Sequence, residues 1–121
     1  MATSVGYCKK GNYAVILKKV KVNMVSDSAC LEMLRKTKLG PQYLLHYNFV
    51  CAGGEEGEDS CEGDGGAPLA CPTGNNTYVL TGLVSWGIGC GEKNVPGVYT
   101  KVSKFRDWVE EKVKNWGYYI I

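Results

Sequence analysis

The chain has one histidine, His46, among 121 residues, no C-x-x-C pair, only four prolines and a formal net charge of +2. A single imidazole with scattered thiols gives no support to a tetrahedral zinc site, which needs clustered Cys and His ligands. The small net charge leaves no electrostatic footprint for nucleic acid. No apolar run approaches the ~18 residues of a membrane-crossing helix, so neither nucleic acid nor membrane is an expected partner, and no cofactor is expected. The opening residues 1–8, MATSVGYC, lack the basic and apolar regions of a signal peptide, so this stretch is expected to carry no export address. No segment is repetitive, and 45% hydrophobic residues is ordinary for a packed chain, so collagen-like and disordered classes drop out despite 16 glycines. A single turn-rich globular domain over residues 1–121 is the remaining expectation.

Six cysteines are present, Cys8, Cys30, Cys51, Cys61, Cys71 and Cys90. An even number at wide spacing suits a disulfide framework in an oxidising, extracellular compartment. Asn75-Asn76-Thr77 is an N-glycosylation sequon in a Gly/Asn/Thr-rich loop and points the same way. A secreted framework without an export address is reconciled most simply if the chain is part of a longer precursor or gene product. Half of the twelve acids, Glu55, Glu56, Glu58, Asp59, Glu62 and Asp64, fall within ten residues. The D-x-D-x-D-G spacing of a calcium loop is absent there, so the plain reading is a solvated loop and no metal. Lys9, Lys10, Lys18, Lys19 and Lys21 read as the wet face of a strand.

Tyr13 to Val22 is β-branched and apolar and ends in strict alternation, the pattern of a strand with one solvated face. Asp27 and Ser28 offer N-caps to a short helix holding Cys30, Leu31, Met33 and Leu34, stopped before Gly40-Pro41. Asn48 to Ala52, Ala67 to Cys71, Tyr78 to Trp86 and Gly97 to Val102 read as further strands between Gly, Pro and Asn turns. Ser103 is positioned to cap a terminal amphipathic helix with Phe105, Trp108, Val109 and Val113 on one side. Trp86 and Trp108 are expected to pack in the core or at its edge. His46 is expected at the surface or in packing. Short strands, regular turns and one terminal helix predict an all-β chain built as a small barrel.

The most informative stretches are DSCEGDGGAPLAC at 59–71, VSWGIGC at 84–90 and PGVYTKV at 96–102. Together with the terminal helix they resemble the C-terminal half of the trypsin-like, chymotrypsin-fold (peptidase S1) serine proteases. Arg35 to Pro41 with His46, Cys51 to Gly54 and Gly63 to Gly66 resemble, more narrowly, the arthropod clip-domain serine protease homologues related to prophenoloxidase-activating factors and masquerade. The resemblance implies the C-terminal six-stranded antiparallel β-barrel of a double-barrel fold, with a C-terminal α-helix.

In active members of that family a serine hydroxyl attacks the scissile carbonyl, with a histidine as base and an aspartate behind it. The matching position here is Gly65, which has no oxygen to form an acyl-enzyme, and Ala67 replaces a second family glycine. The half that would bring the triad His and Asp is absent, so the chain is expected not to be an enzyme. Peptide N–H groups at Gly63 and Gly65 are expected to retain an oxyanion-hole-like nest, since that feature needs no side chain. Asp59 and Ser60 match the base of the primary specificity pocket, and Gly87 and Gly97 match its walls. Ser85-Trp86-Gly87 matches the strand edge that pairs with substrate backbone, so a peptide with Lys or Arg could add there as a strand. The pocket is either open or an inherited scaffold, because in active relatives Asp64 pairs with a new N-terminal amine supplied by the other half.

The resemblance also implies the disulfides Cys30–Cys51 and Cys61–Cys90. The usual partner of Cys71 falls at Ala2, so a Cys8–Cys71 bond would have non-family geometry, and either thiol could instead be free or pair with another chain. The expected function is that of a protein-binding adaptor or cofactor in an extracellular proteolytic cascade, such as melanisation, with proteases or pro-enzymes as partners. The alternatives are a trypsin-like endopeptidase completed by a missing N-terminal half, or a partial gene product. A two-barrel protease needs roughly 200–250 residues, about twice this length.

Overall fold

A computed structural model describes residues 2–5, 19–55, 65–89 and 92–118, the first of these as a paired strand. Among these residues seven strands form one antiparallel sheet: β1 (Ala2–Val5), β2 (Lys19–Val22), β3 (Met24–Val25), β4 (Phe49–Gly53), β5 (Pro68–Gly74), β6 (Thr77–Trp86) and β7 (Pro96–Lys101). Two helices accompany them, α1 (Asp27–Arg35) and α2 (Arg106–Asn115), the second entered through a 3-10 turn at Val102–Phe105. Strand order is β2-β1-β5-β6-β7-β4-β3. The two outermost strands are neighbours in the chain, separated only by Asn23. Residues 19–25 therefore lie along both edges of the described sheet: β2 ends the predicted Tyr13–Val22 strand, and β3 lies beyond it as a strand that the sequence pattern does not predict. The Asn23 carbonyl accepts from Gly53 N at 2.8 Å, and its side chain donates to Glu55 Oε1.

β4 and β7 occupy the middle of the packing, buried on both faces. Side chains alternate across a strand. Val50 and Ala52 of β4 and Tyr99 of β7 accordingly join Val22 and Leu69 in one cluster, while Cys51 and Val98 face Cys30 and Leu34 of α1 in another. A strand covered on both sides shows no polar alternation, which is why 49–53 reads FVCAG. Tyr99 is fully buried, and Gly82 makes room for it: a Cβ at 82 would sit 3.0 Å from Tyr99 Cβ and 3.3 Å from the Thr100 carbonyl oxygen.

The α1 cap is Ser26, whose hydroxyl accepts from Ala29 N at 3.3 Å, in place of the expected Asp27 or Ser28. Asp27 becomes the first helical residue, where its charge favours the positive end of the helix dipole. Cys30 and Cys51 form a disulfide, Cα atoms 6.2 Å apart, that fastens α1 to β4. The expected Ser103 cap is not formed: Ser103 lies inside the 3-10 turn, and α2 starts without a side-chain cap. Trp108 is 59% exposed rather than packed, and no residue of α2 is buried. Its face meets too little of the sheet, as the groove beside it shows. Of the predicted first strand, residues 13–18 lie outside the described residues.

Candidate binding cleft

The described part of the cleft is built where β5, β6 and β7 meet the turn at 65–66. Gly66 adopts φ +84°, a conformation that favours glycine. Its N–H donates to the Val84 carbonyl at 2.8 Å, and Val84 N–H donates to the Ala67 carbonyl at 2.9 Å. The turn is thus stitched to β6 immediately before Ser85. Gly65 itself is exposed and lies outside the positive-φ region, and a Cβ built there meets nothing within 4 Å among the described residues. Steric crowding therefore does not account for the glycine at this position.

Ser85 forms a bulge. Val84 pairs with Tyr99 and Trp86 with Val98, so β6 spends one more residue than β7 over that step. Two residues apart, Val84 and Trp86 would share a face in a regular strand. The extra residue moves Trp86 to the other face: Val84 packs on the Tyr99 cluster, whereas Trp86 packs on the α1 cluster. There it meets Tyr43 edge-on at 6.0 Å and Phe49 at 6.2 Å between ring centroids. Arg35 Nε, at the end of α1, donates to the Tyr43 carbonyl at 2.9 Å and holds that loop in place. Burial raises the Tyr43 phenol above its ordinary pKa of 10.0. The sequence alone did not single out Tyr43, Phe49 or Arg35 as cleft support; the only cue was a dense aromatic run between Cys30 and Cys51.

Gly87 and Gly97 face one another: a Cβ on Gly87 would lie 3.9 Å from the Gly97 Cα. Gly97 is buried and Gly87 exposed, so the close approach opens to solvent on the β6 side. The structure brings together Gly65, Ser85, Trp86, Gly87 and Gly97 on three adjacent elements. Asp59, Ser60, Gly63, Asp64 and the expected Cys61–Cys90 bridge lie outside the described residues. His46 stands apart from this chemistry. It is exposed, stacks on Tyr47 at 4.4 Å, and its Nδ1 accepts from Asn48 N at 3.1 Å.

Among the described residues Cys71 is a free, half-buried thiol, one of the states left open for it, and Cys8 lies outside the described residues. β1 pairs with β5 through Thr3 with Ala70 and Ser4 with Leu69, and one more step sets Ala2 across from Cys71.

A second concavity lies between the early part of β6 and α2, a groove of about 550 Å³ lined by Val79, Leu80, Thr81, Val102, Arg106 and Val109 among others. Tyr78, Val79, Leu80, Phe105, Trp108 and Val109 are all exposed along this flank. Among the described residues no group of His, Cys, Asp and Glu is clustered to hold a metal. No helix there is long and apolar enough to cross a membrane.

Comparison with known proteins agrees with this geometry. The trypsin family model matches residues 1–109, and the chain belongs to the trypsin family. Its fold is trypsin-like, a mainly antiparallel sheet with a C-terminal helix. Phenoloxidase-activating factor 2 of Galleria mellonella is 53% identical over 111 residues, covering 90% of this chain and 37% of the relative. The Anopheles gambiae protein named inactive CLIP domain-containing serine protease A28 is 50% identical over 105 residues, 87% of this chain and 28% of its own length. Protein masquerade of Drosophila melanogaster is 42% identical over 112 residues, 90% of this chain and 10% of its own. The chain thus spans little more than a third of the first of these relatives and less of the others.

Proposed function

We propose that the chain is a non-catalytic member of the trypsin family, one domain equivalent to the C-terminal half of the double-barrel fold, that binds protein as an adaptor or cofactor in an extracellular proteolytic cascade. The observation that carries this is Gly65. The position matched to the family's nucleophile has no side-chain oxygen, while the turn that holds it and the strand beside it are intact. Nucleophilic catalysis needs an activated oxygen or sulfur at that point. Strand addition along Ser85–Gly87 does not. Relatives named as inactive proteases and as a phenoloxidase-activating factor support the same role and the partners that go with it, proteases or pro-enzymes. A cysteine-rich chain with a disulfide supports an extracellular location.

If residues 19–25 are counted as one bent strand, six strands remain and both edges of the sheet belong to the same segment. That supports the six-stranded barrel. By the same reading, the groove and apolar flank beside α2 are the side that a preceding barrel would cover.

The test separates binding from chemistry. The oxidised chain is titrated with a benzamidine-type ligand and with a fluorophosphonate probe. The expected result is no covalent labelling, with benzamidine binding that is lost on Asp59→Ala. Covalent labelling would sink the non-catalytic reading, and no binding by the unmutated chain would reduce the pocket to inherited scaffold.

A further inference from the structure

We propose that Asn75 is the attachment site of an N-linked glycan, standing at the tip of the β5–β6 hairpin. This rests on the extracellular reading above, since the acceptor must meet a secretory-pathway transferase. The sequence motif is Asn75-Asn76-Thr77, with no proline at its centre. The structure adds where the acceptor sits and what its side chain is free to do.

Gly74 pairs with Thr77, so Asn75 and Asn76 form a two-residue hairpin loop. Their φ values are +52° and +58°, the mirror-image turn that matches strand twist and favours Asn and Gly. The turn uses only the backbone of Asn75. Among the described residues nothing hydrogen-bonds its side chain, and residues 74–80 are exposed throughout. Thr77 Oγ1 is directed back into the hairpin, donating to the Gly74 carbonyl at 3.0 Å and lying in contact with the Thr73 hydroxyl. An oligosaccharide on Asn75 therefore displaces no protein contact.

The bond chemistry is a group transfer. The Asn75 amide nitrogen forms a bond to the anomeric carbon of an oligosaccharide carried on a lipid pyrophosphate. The anomeric C–O bond breaks, the lipid pyrophosphate leaves, and the amide gives up one of its two protons.

Placement links the modification to the proposed binding role. β6 is ten residues long, so its ends are about 30 Å apart at ~3.3 Å per residue. A glycan at the Thr77 end leaves Trp86 and Gly65 clear. It stands instead at the end of the apolar flank that begins at Tyr78, where it limits which surfaces can approach the groove.

The full chain is expressed behind a supplied secretion leader, with an additional Asn-Gly-Thr acceptor appended after Ile121 to report entry into the lumen. The expected result is a glycan on Asn75, seen as an electrophoretic shift and as conversion of Asn75 to Asp after peptide-N-glycosidase treatment. Asn75→Asp keeps a residue tolerant of the turn and is expected to lose that shift. Asn76→Gly preserves both the turn and the motif and is expected to keep it. A modified tag beside an unmodified Asn75 overturns the proposal. A site that is modified behind the leader but bare in protein from the native source would instead count against the extracellular reading.

Discussion

The two helices are both amphipathic, α1 with five apolar residues in nine and α2 with three in ten, and they meet opposite fates. α1 sets Cys30 and Leu34 at 0% exposure against Cys51 and Val98, with Leu39, Leu45, Phe49 and Trp86 closing over them. α2 presents Trp108, Val109 and Val113 at helical spacing, and none of its residues is buried. The difference lies in what each helix lands on. α1 is tied by a disulfide to β4, a strand buried on both faces with a full apolar face to offer. α2 leaves β7 through a 3-10 turn and reaches only the early part of β6, from which the groove separates it. Amphipathic sequence licenses burial, and the partner surface decides whether it happens. Trp108 is left with an exposed ring under Lys112, 5.9 Å from Nζ to centroid.

The contrast can be broken most forcefully on the packed side. Replacing Cys30 and Cys51 together by Ser removes a 21-residue link and leaves hydroxyls in a fully buried site. The expected cost is about 3 kcal/mol or more in chemical denaturation under oxidising conditions. Leu34→Ala is expected to cost about 3 kcal/mol, while Val109→Ala on the bare helix should stay within about 0.5 kcal/mol. Equal costs for the two would show that α2 is packed after all. Gly82→Ala should cost about 1–3 kcal/mol, because its Cβ presses on Tyr99 Cβ and the backbone of β7.

Smaller effects sharpen the same contrast at the cleft. Gly65→Ser should change stability by no more than about 0.5 kcal/mol, since the position is unstrained and meets nothing among the described residues. On the proposed non-catalytic reading, the variant should still escape fluorophosphonate labelling. The smallest effect is at alkaline pH. Burial raises the Tyr43 pKa, so the folded state holds that proton longer than the unfolded chain does. Its contribution to stability is complete below the ordinary pKa of 10.0 and is lost as pH rises through the folded value. A Tyr43→Phe variant should lack that component of the alkaline unfolding curve.

Much of the fold was legible because local chemistry announces it. The motifs at 59–71, 84–90 and 96–102 identified the family, and the aromatic and β-branched runs located β2, β4, β5, β6 and β7 but not β1 or β3. Boundaries moved by a residue or two where the ladder, rather than composition, ends the strand: Asn48 to Ala52 became Phe49–Gly53, and Gly97 to Val102 became Pro96–Lys101. The α1 cap moved to Ser26 because Asp27 already has helical neighbours to bond with, and capping depends on where the first turn closes. The aromatic wall of Tyr43 and Phe49 on Trp86 was not legible, since its members are up to 43 residues apart.

The sequence by itself determined the family, the glycine at 65 on which the non-catalytic proposal rests and the candidate glycan acceptor at Asn75, because each is a matter of which atoms a residue has. Tertiary structure alone decided which way those residues face. Trp86 lies on the α1 side because Ser85 adds a step that β7 does not match, residues 19–25 lie on both edges of the sheet, and α2 stays uncovered. Those outcomes depend on pairing between distant strands and on the surface available to pack against, and neither quantity is encoded in any local run of the chain.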